Sequence, residues 1–206
     1  MKVNKIYCGN CFKLMKKAKT VDLILTSPPY KDDEVPYSYY DWLDNFIKLS
    51  LEVAPRMLMF NSSQRLIEIC KRFNPKTVLI WNKKFGMTAF RYEPIFLFTR
   101  DKDEKIWGRG RIYKTCLSYT MTNKKHINQN PVGLYVELLK FFPTAQVILD
   151  PFMGSGTTAV ACKQLDRNFI GFEINPDYVT IANKRLSKIP EKLENFVEDK
   201  KVGEWI

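Results

Sequence analysis

Along this 206-residue chain, short apolar runs bounded by turn residues alternate with stretches whose apolar positions recur every three or four residues. Continuous apolar runs of strand length predict strands covered on both faces, and the three-to-four spacing predicts amphipathic helices. The clearest strand is Val21–Thr26 (VDLILT), which halts at Ser27-Pro28-Pro29, where neither proline can donate to a ladder. Further strands are expected over 5–7, 57–60, 77–81, 93–99, 147–149 and 168–173, with 90–92 pairing beside 93–99. Helices are expected from Gly9-Asn10 to 17, over 38–54, over 65–73, from Pro131, after the glycine turn to 165, and over 176–186. In 38–54, Trp42, Leu43, Phe46, Ile47 and Leu49 share one side; after Pro131, Val132, Tyr135, Val136, Leu139 and Phe142 do the same. Residues 101–125 read as irregular, and the tail from Pro190 as charged and peripheral.

Strands alternating with helices imply an α/β protein: one domain over 1–206, built on a doubly wound, mostly parallel sheet of about seven strands. No repeat or linker marks a second domain. No apolar run is long enough to span a membrane, and no apolar stretch follows Met1-Lys2-Val3 as in a secretory signal. The five cysteines at 8, 11, 70, 116 and 162 are odd in number and scattered, which suits reduced thiols in a cytoplasmic compartment rather than a disulfide framework. Cys8 and Cys11 form a C-x-x-C, but no second pair stands at ligand spacing and His126 is the only histidine, so no metal is expected.

Charge narrows the partners. The formal net charge is +11, and residues 2–19 and 105–125 each carry six Lys or Arg and no acid. A surface of this sign attracts polyanions, nucleic acid first among them.

Between the strand at 147–149 and the next helix lies Asp150-Pro151-Phe152-Met153-Gly154-Ser155-Gly156-Thr157-Thr158-Ala159. Two glycines there let backbone approach a ligand, and Glu173 ends the following strand, where a carboxylate can accept from both hydroxyls of a ribose. A Walker loop would need Gly-Lys-Ser/Thr, and no lysine appears before Lys163. Gly154-x-Gly156-x-x-Ala159 fits a dinucleotide fingerprint, and Asp150 and Phe152 beside the glycines fit an S-adenosylmethionine loop equally well. This segment alone does not separate the two cofactors.

Thr26-Ser27-Pro28-Pro29-Tyr30 belongs to the same sheet edge. Two adjacent prolines fix two φ angles, so the Ser27 side chain and the Pro28 carbonyl become rigid acceptors beside the Tyr30 ring. An exocyclic amine of cytosine or adenine is a poor nucleophile because its lone pair is delocalised into the ring. Two acceptors on its N–H bonds favour a pyramidal nitrogen able to attack a sulfonium methyl in line, and an aromatic face can stack on a base extruded from the duplex. A nicotinamide-dependent oxidoreductase gives no use for such a loop. Two further readings fit the same residues: an RNA methyltransferase, and a non-enzymatic nucleic-acid-binding protein with a vestigial cofactor site.

In this order, SPPY at 27–30, DPFMGSGTT at 150–158 and FEINPDY at 172–178, the sequence resembles the β-group amino-methyltransferases of DNA. Tyr7-Cys8-Gly9-Asn10, Trp81-Asn82-Lys83, Arg91-Tyr92-Glu93-Pro94 and His126-Ile127-Asn128-Gln129-Asn130-Pro131 extend the resemblance over most of 5–190. It implies a Rossmann-like methyltransferase fold with circularly permuted motif order and S-adenosylmethionine as cofactor. Asn10, Asp150, Phe152, Gly154, Ser155, Gly156, Thr157, Thr158 and Glu173 would line the cofactor site, and Ser27, Pro28, Pro29 and Tyr30 would hold the target amine. Members with Ser first in the catalytic loop tend to methylate cytosine N4, and those with Asp adenine N6. Asn10 stands where the family has Asp, and Ile127 and Asn130 where it has Pro and Lys. The expected partner is DNA. The target reader expected at 101–125, with Arg109, Arg111 and Lys114, is short, which suits a short or degenerate target or help from a second copy or another subunit.

Overall fold

A computed structural model describes residues 1–29, 39–83, 92–101, 116–119 and 130–189. Tyr30, Arg109, Arg111, Lys114, His126 and the tail from 190 lie outside the described residues.

Among the described residues, eight strands form one sheet: β1 (Lys5–Cys8), β2 (Leu23–Thr26), β3 (Arg56–Phe60), β4 (Thr77–Asn82), β5 (Tyr92–Thr99), β6 (Cys116–Ser118), β7 (Val147–Asp150) and β8 (Asn168–Glu173). Their spatial order is β1-β8-β7-β2-β3-β5-β4-β6. Of these, only β5 runs against its neighbours, pairing antiparallel with β3 and β4; the other pairs are parallel. Six α-helices of the described residues accompany the strands: α1 (Cys11–Met15), α2 (Tyr39–Val53), α3 (Leu66–Phe73), α4 (Val132–Lys140), α5 (Thr157–Gln164) and α6 (Pro176–Leu186). The strands and helices expected over the described residues are present within a few residues of their expected bounds, except that Tyr92, expected to pair beside 93–99, opens β5 itself, while 90 and 91 lie outside the described residues. A further correction is β6, which falls inside the segment expected to be irregular. Three residues, Cys-Leu-Ser, carry too little pattern to announce a strand; parallel pairing of Ile80, Trp81 and Asn82 with Cys116, Leu117 and Ser118 makes it one.

Alternation along the strands divides the core into two layers. Leu23, Leu25, Leu58, Phe60, Ile148 and Phe169 pack with α4, α5 and α6. Ile24, Met57, Met59, Leu149, Ile170 and Phe172 pack with α1, α2 and α3. Burying each large side chain such as Phe60 or Phe172 contributes about 1.5–3 kcal/mol. Since β2 and β7 need two covered faces, their side chains are apolar at successive positions, which explains the uninterrupted run at 23–25.

The site follows from the strand order. The neighbours β7 and β2 are parallel, with Leu23 opposite Ile148 and Ile24 opposite Leu149. The helix after β7 packs on one face of the sheet, and α2, which follows β2 in the described chain, packs on the other. Chain connections therefore diverge between these two strands, which opens a crevice outside their carboxyl ends.

Candidate active site

Five strand ends meet along this edge: Cys8-Gly9-Asn10, Thr26-Ser27-Pro28, Phe60-Asn61, Asp150-Pro151-Phe152 and Glu173-Ile174. Ser27 and Pro29 are half-buried and Pro28 is buried, so the described part of the proline loop is seated in the edge. The residue before the proline loop is bonded to the residue that opens the glycine segment. The Thr26 hydroxyl donates to Asp150 Oδ1 at 2.7 Å.

Asp150 is 3% exposed, and its carboxylate is enclosed by donors. Thr26 and the Phe152 N–H (3.0 Å) bind Oδ1, while the Thr158 hydroxyl binds Oδ2. Burial raises its pKa to about 6, against the lowering effect of these three donors; Glu173 adds a small push upward. Asp150, placed in the cofactor site from sequence, thus directs its acceptors to protein groups and acts on the shape of the loop. Thr158, wholly buried, belongs to the same internal bond.

The loop that follows turns through two left-handed residues, Gly154 (φ +51°) and Gly156 (φ +84°). A Cβ at Gly156 would stand 3.0 Å from the Ala182 Cβ of α6. At Gly154 the nearest atom to such a Cβ would be the Phe152 carbonyl oxygen at 4.0 Å. Gly156 is therefore needed for helix packing as well as for its φ, whereas Gly154 borders open space of the kind a ligand fills.

Glu173 reaches back to this loop. Its Oε2 accepts from Gly154 N at 2.8 Å and its Oε1 from Asn175 N at 2.9 Å. The turn that aims it is fixed by sequence: Asn175 caps α6 by accepting from Asp177 N, with Pro176 in the first turn. Each oxygen keeps lone-pair capacity beyond its single bond, so the carboxylate can still accept hydroxyls. Asn10 follows the adjoining strand, since Gly9 N donates to the Glu173 carbonyl at 2.8 Å. Its side chain caps α1, accepting from Lys13 N at 3.3 Å. Phe152, half-buried, closes an aromatic group with Phe46 and Trp42, at centroid distances of 5.3 and 5.9 Å.

Ser155 and Thr157 are both buried, at 5% and 6% exposure, and share one partner that the sequence pattern does not announce. Arg185 Nη1 donates to the Ser155 carbonyl (3.2 Å), the Ser155 hydroxyl (3.4 Å) and the Thr157 hydroxyl (3.2 Å). In sequence Arg185 stands on a charged helix and reads as solvated. Ile174 is a second unexpected member, although a signal was present: an apolar residue directly after a strand-ending acid, it is 69% exposed next to Glu173. The third is Asn61, fully buried at the end of β3, whose Nδ2 donates to the Tyr39 hydroxyl at 2.6 Å. Among the described residues no group of three or more His, Cys, Asp or Glu converges as metal ligands.

The chain is similar to known proteins in both sequence and fold. The Type II methyltransferase M.HpaI of Haemophilus parainfluenzae is 25% identical, over 88% of this chain and 74% of that protein. The crystal structure of the M1.HpyAVI–SAM complex superposes with a TM-score of 0.70 at 28% identity, covering 88% of this chain and 98% of that one. PvuII DNA methyltransferase, described as cytosine-N4-specific, shares the fold, with a TM-score of 0.72 at 17% identity over 93% of this chain and 89% of that one. The DNA methylase family model N6_N4_Mtase matches residues 21–184, from the strand that leads into Ser27 through the helix beyond Glu173. The chain belongs to this DNA methylase family.

Proposed function

We propose that this protein transfers a methyl group from S-adenosylmethionine to the exocyclic amine of a DNA base, cytosine N4 in particular. The observation that carries the proposal is the junction of the proline loop and the glycine loop on adjacent parallel strands, tied by Thr26 and Asp150. The residues present suit the cofactor: open space at Gly154, a carboxylate at Glu173 for ribose hydroxyls, and exposed Ile174 as an apolar surface for the adenine ring. When bound, S-adenosylmethionine supplies a methyl carbon made electrophilic by its sulfonium.

The chain's own residues hold and prepare the nucleophile. Ser27 and the Pro28 carbonyl accept from the two amine hydrogens, and the Tyr30 ring stacks on the extruded base. So held, the amine nitrogen would present its lone pair for the new N–C bond, and the electron pair of the methyl–sulfur bond would go to sulfur. The nitrogen then sheds one proton through Ser27 to water. Because transfer is direct, no cysteine nucleophile is required, which fits the burial of Cys11 and its pKa, raised to about 11 chiefly by desolvation. Cytosine is proposed over adenine from the family resemblance, since Ser27 leads the loop as in members that tend to methylate cytosine N4. DNA is the substrate favoured by the charge of +11.

Ser27→Ala combined with Tyr30→Ala is expected to abolish incorporation of labelled methyl into DNA while leaving cofactor affinity within about twofold, a change of under ~1 kcal/mol. Unchanged turnover in the double variant overturns the catalytic loop.

A further inference from the structure

Arg185 comes from the last described helix, α6, and turns inward to the glycine loop rather than outward like its exposed neighbour Lys184. No carboxylate lies within ion-pair range of it among the described residues. All of its described bonds go to neutral oxygens of Ser155 and Thr157. A half-buried guanidinium without a counter-ion gives up hydration, and burial lowers its pKa accordingly.

The two hydroxyls that it touches are left in different states. A hydroxyl has one hydrogen to give. Thr157 directs its hydrogen to the Asn130 carbonyl at 3.4 Å. Ser155 accepts from Arg185, and none of the described residues takes its hydrogen. Ser155 lies between the two left-handed glycines, beside the open space at Gly154. The loop is thus electrically polar, with the Glu173 carboxylate bonded at Gly154 and a guanidinium bonded at Ser155 and Thr157. The acidic side accepts hydroxyls and repels an anion. The other side has an oriented donor backed by positive charge.

Resting on the cofactor named above, we infer that Arg185 is a positioning residue for the carboxylate of the cofactor's methionine portion. It holds the Ser155 hydroxyl as a donor toward that carboxylate and supplies positive charge behind it. Glu173 and Arg185 together then fix which way round the cofactor lies.

Calorimetric titration of the full chain with two probes tests this: S-adenosylmethionine, and its decarboxylated analogue, which keeps the sulfonium, the adenosine and the amine. Arg185→Met is expected to weaken S-adenosylmethionine about tenfold and to leave the decarboxylated analogue within about twofold. Arg185→Lys should recover part of the loss. Ser155→Ala, which leaves the guanidinium in place, should give the same selectivity and keeps the test open if Arg185→Met fails to fold. Equal weakening of both probes makes Arg185 a packing residue and overturns the inference, as does no weakening of either. Wild-type protein that binds neither probe instead overturns the cofactor assignment underneath it.

Discussion

The Thr26 hydroxyl and the Asp150 carboxylate, 124 residues apart in sequence, share a buried hydrogen bond of 2.7 Å. It joins the last residue of β2 to the last residue of β7, each the final strand position before a loop of the site. Thr158 links the same carboxylate to α5, so strand, loop and helix are fixed around one acid. Thr26→Val keeps the shape and removes the donor. It is expected to destabilise the protein by about 1–3 kcal/mol, the usual cost of leaving a buried polar group short of a partner. Urea unfolding of the two proteins measures it, and cofactor affinity should fall as well because the loop loosens.

Asp150 also makes stability depend on pH. Its folded-state pKa is raised to about 6 from an ordinary value of 3.8, mainly by burial, so the folded state favours the neutral acid. Its contribution is therefore fully present below about pH 4 and is lost as pH rises through about 6. Asp150→Asn has no proton to lose. Between about pH 4 and pH 7, the unfolding midpoint of wild type is expected to fall relative to that of Asp150→Asn, with the difference levelling above about pH 6. A difference independent of pH would show that the carboxylate does not titrate in this window.

The two glycines should fail differently. Both have positive φ, which costs a side chain about 1–2 kcal/mol. Gly156→Ala adds a contact at 3.0 Å with Ala182, so it should lower stability more than Gly154→Ala. Gly154→Val projects into the open space instead and should abolish cofactor binding while the protein remains folded. Thermal unfolding and cofactor titration on the same samples separate the two effects.

Glu173→Gln tests the other end of the loop. The carboxylate accepts backbone N–H groups on both oxygens, and an amide has only one oxygen. One of Gly154 N and Asn175 N would then face an NH₂ donor. Cofactor affinity is expected to fall at least about tenfold, or ~1.4 kcal/mol, in a titration at neutral pH.

Much of this site could be read from sequence because backbone chemistry announces it. Prolines at 28 and 29 stop a buried strand, and glycines at 154 and 156 mark left-handed turns. Glu173 ends the strand that follows the glycines. What the sequence pattern could not reveal depends on contacts between distant residues. Thr26 looks like the last member of an apolar strand until Asp150 is placed opposite it. Arg185 looks like one cation among several until α6 is packed beneath the loop. The β6 strand exists only by virtue of its pairing with β4. Asp150 can be located at the site from its position alone, but its part as an internal anchor needs the geometry of three donors.

The most direct measurement is nucleoside mass spectrometry of DNA incubated with the purified chain and S-adenosylmethionine carrying a labelled methyl. The expected product is N4-methylcytosine, absent when Ser27 and Tyr30 are both replaced by alanine. Label in N6-methyladenine would leave the amine chemistry standing and correct the base. Label at a ring carbon, or none in DNA under conditions where the cofactor binds, would contradict the proposal that proline-held acceptors prepare an exocyclic amine for methyl transfer.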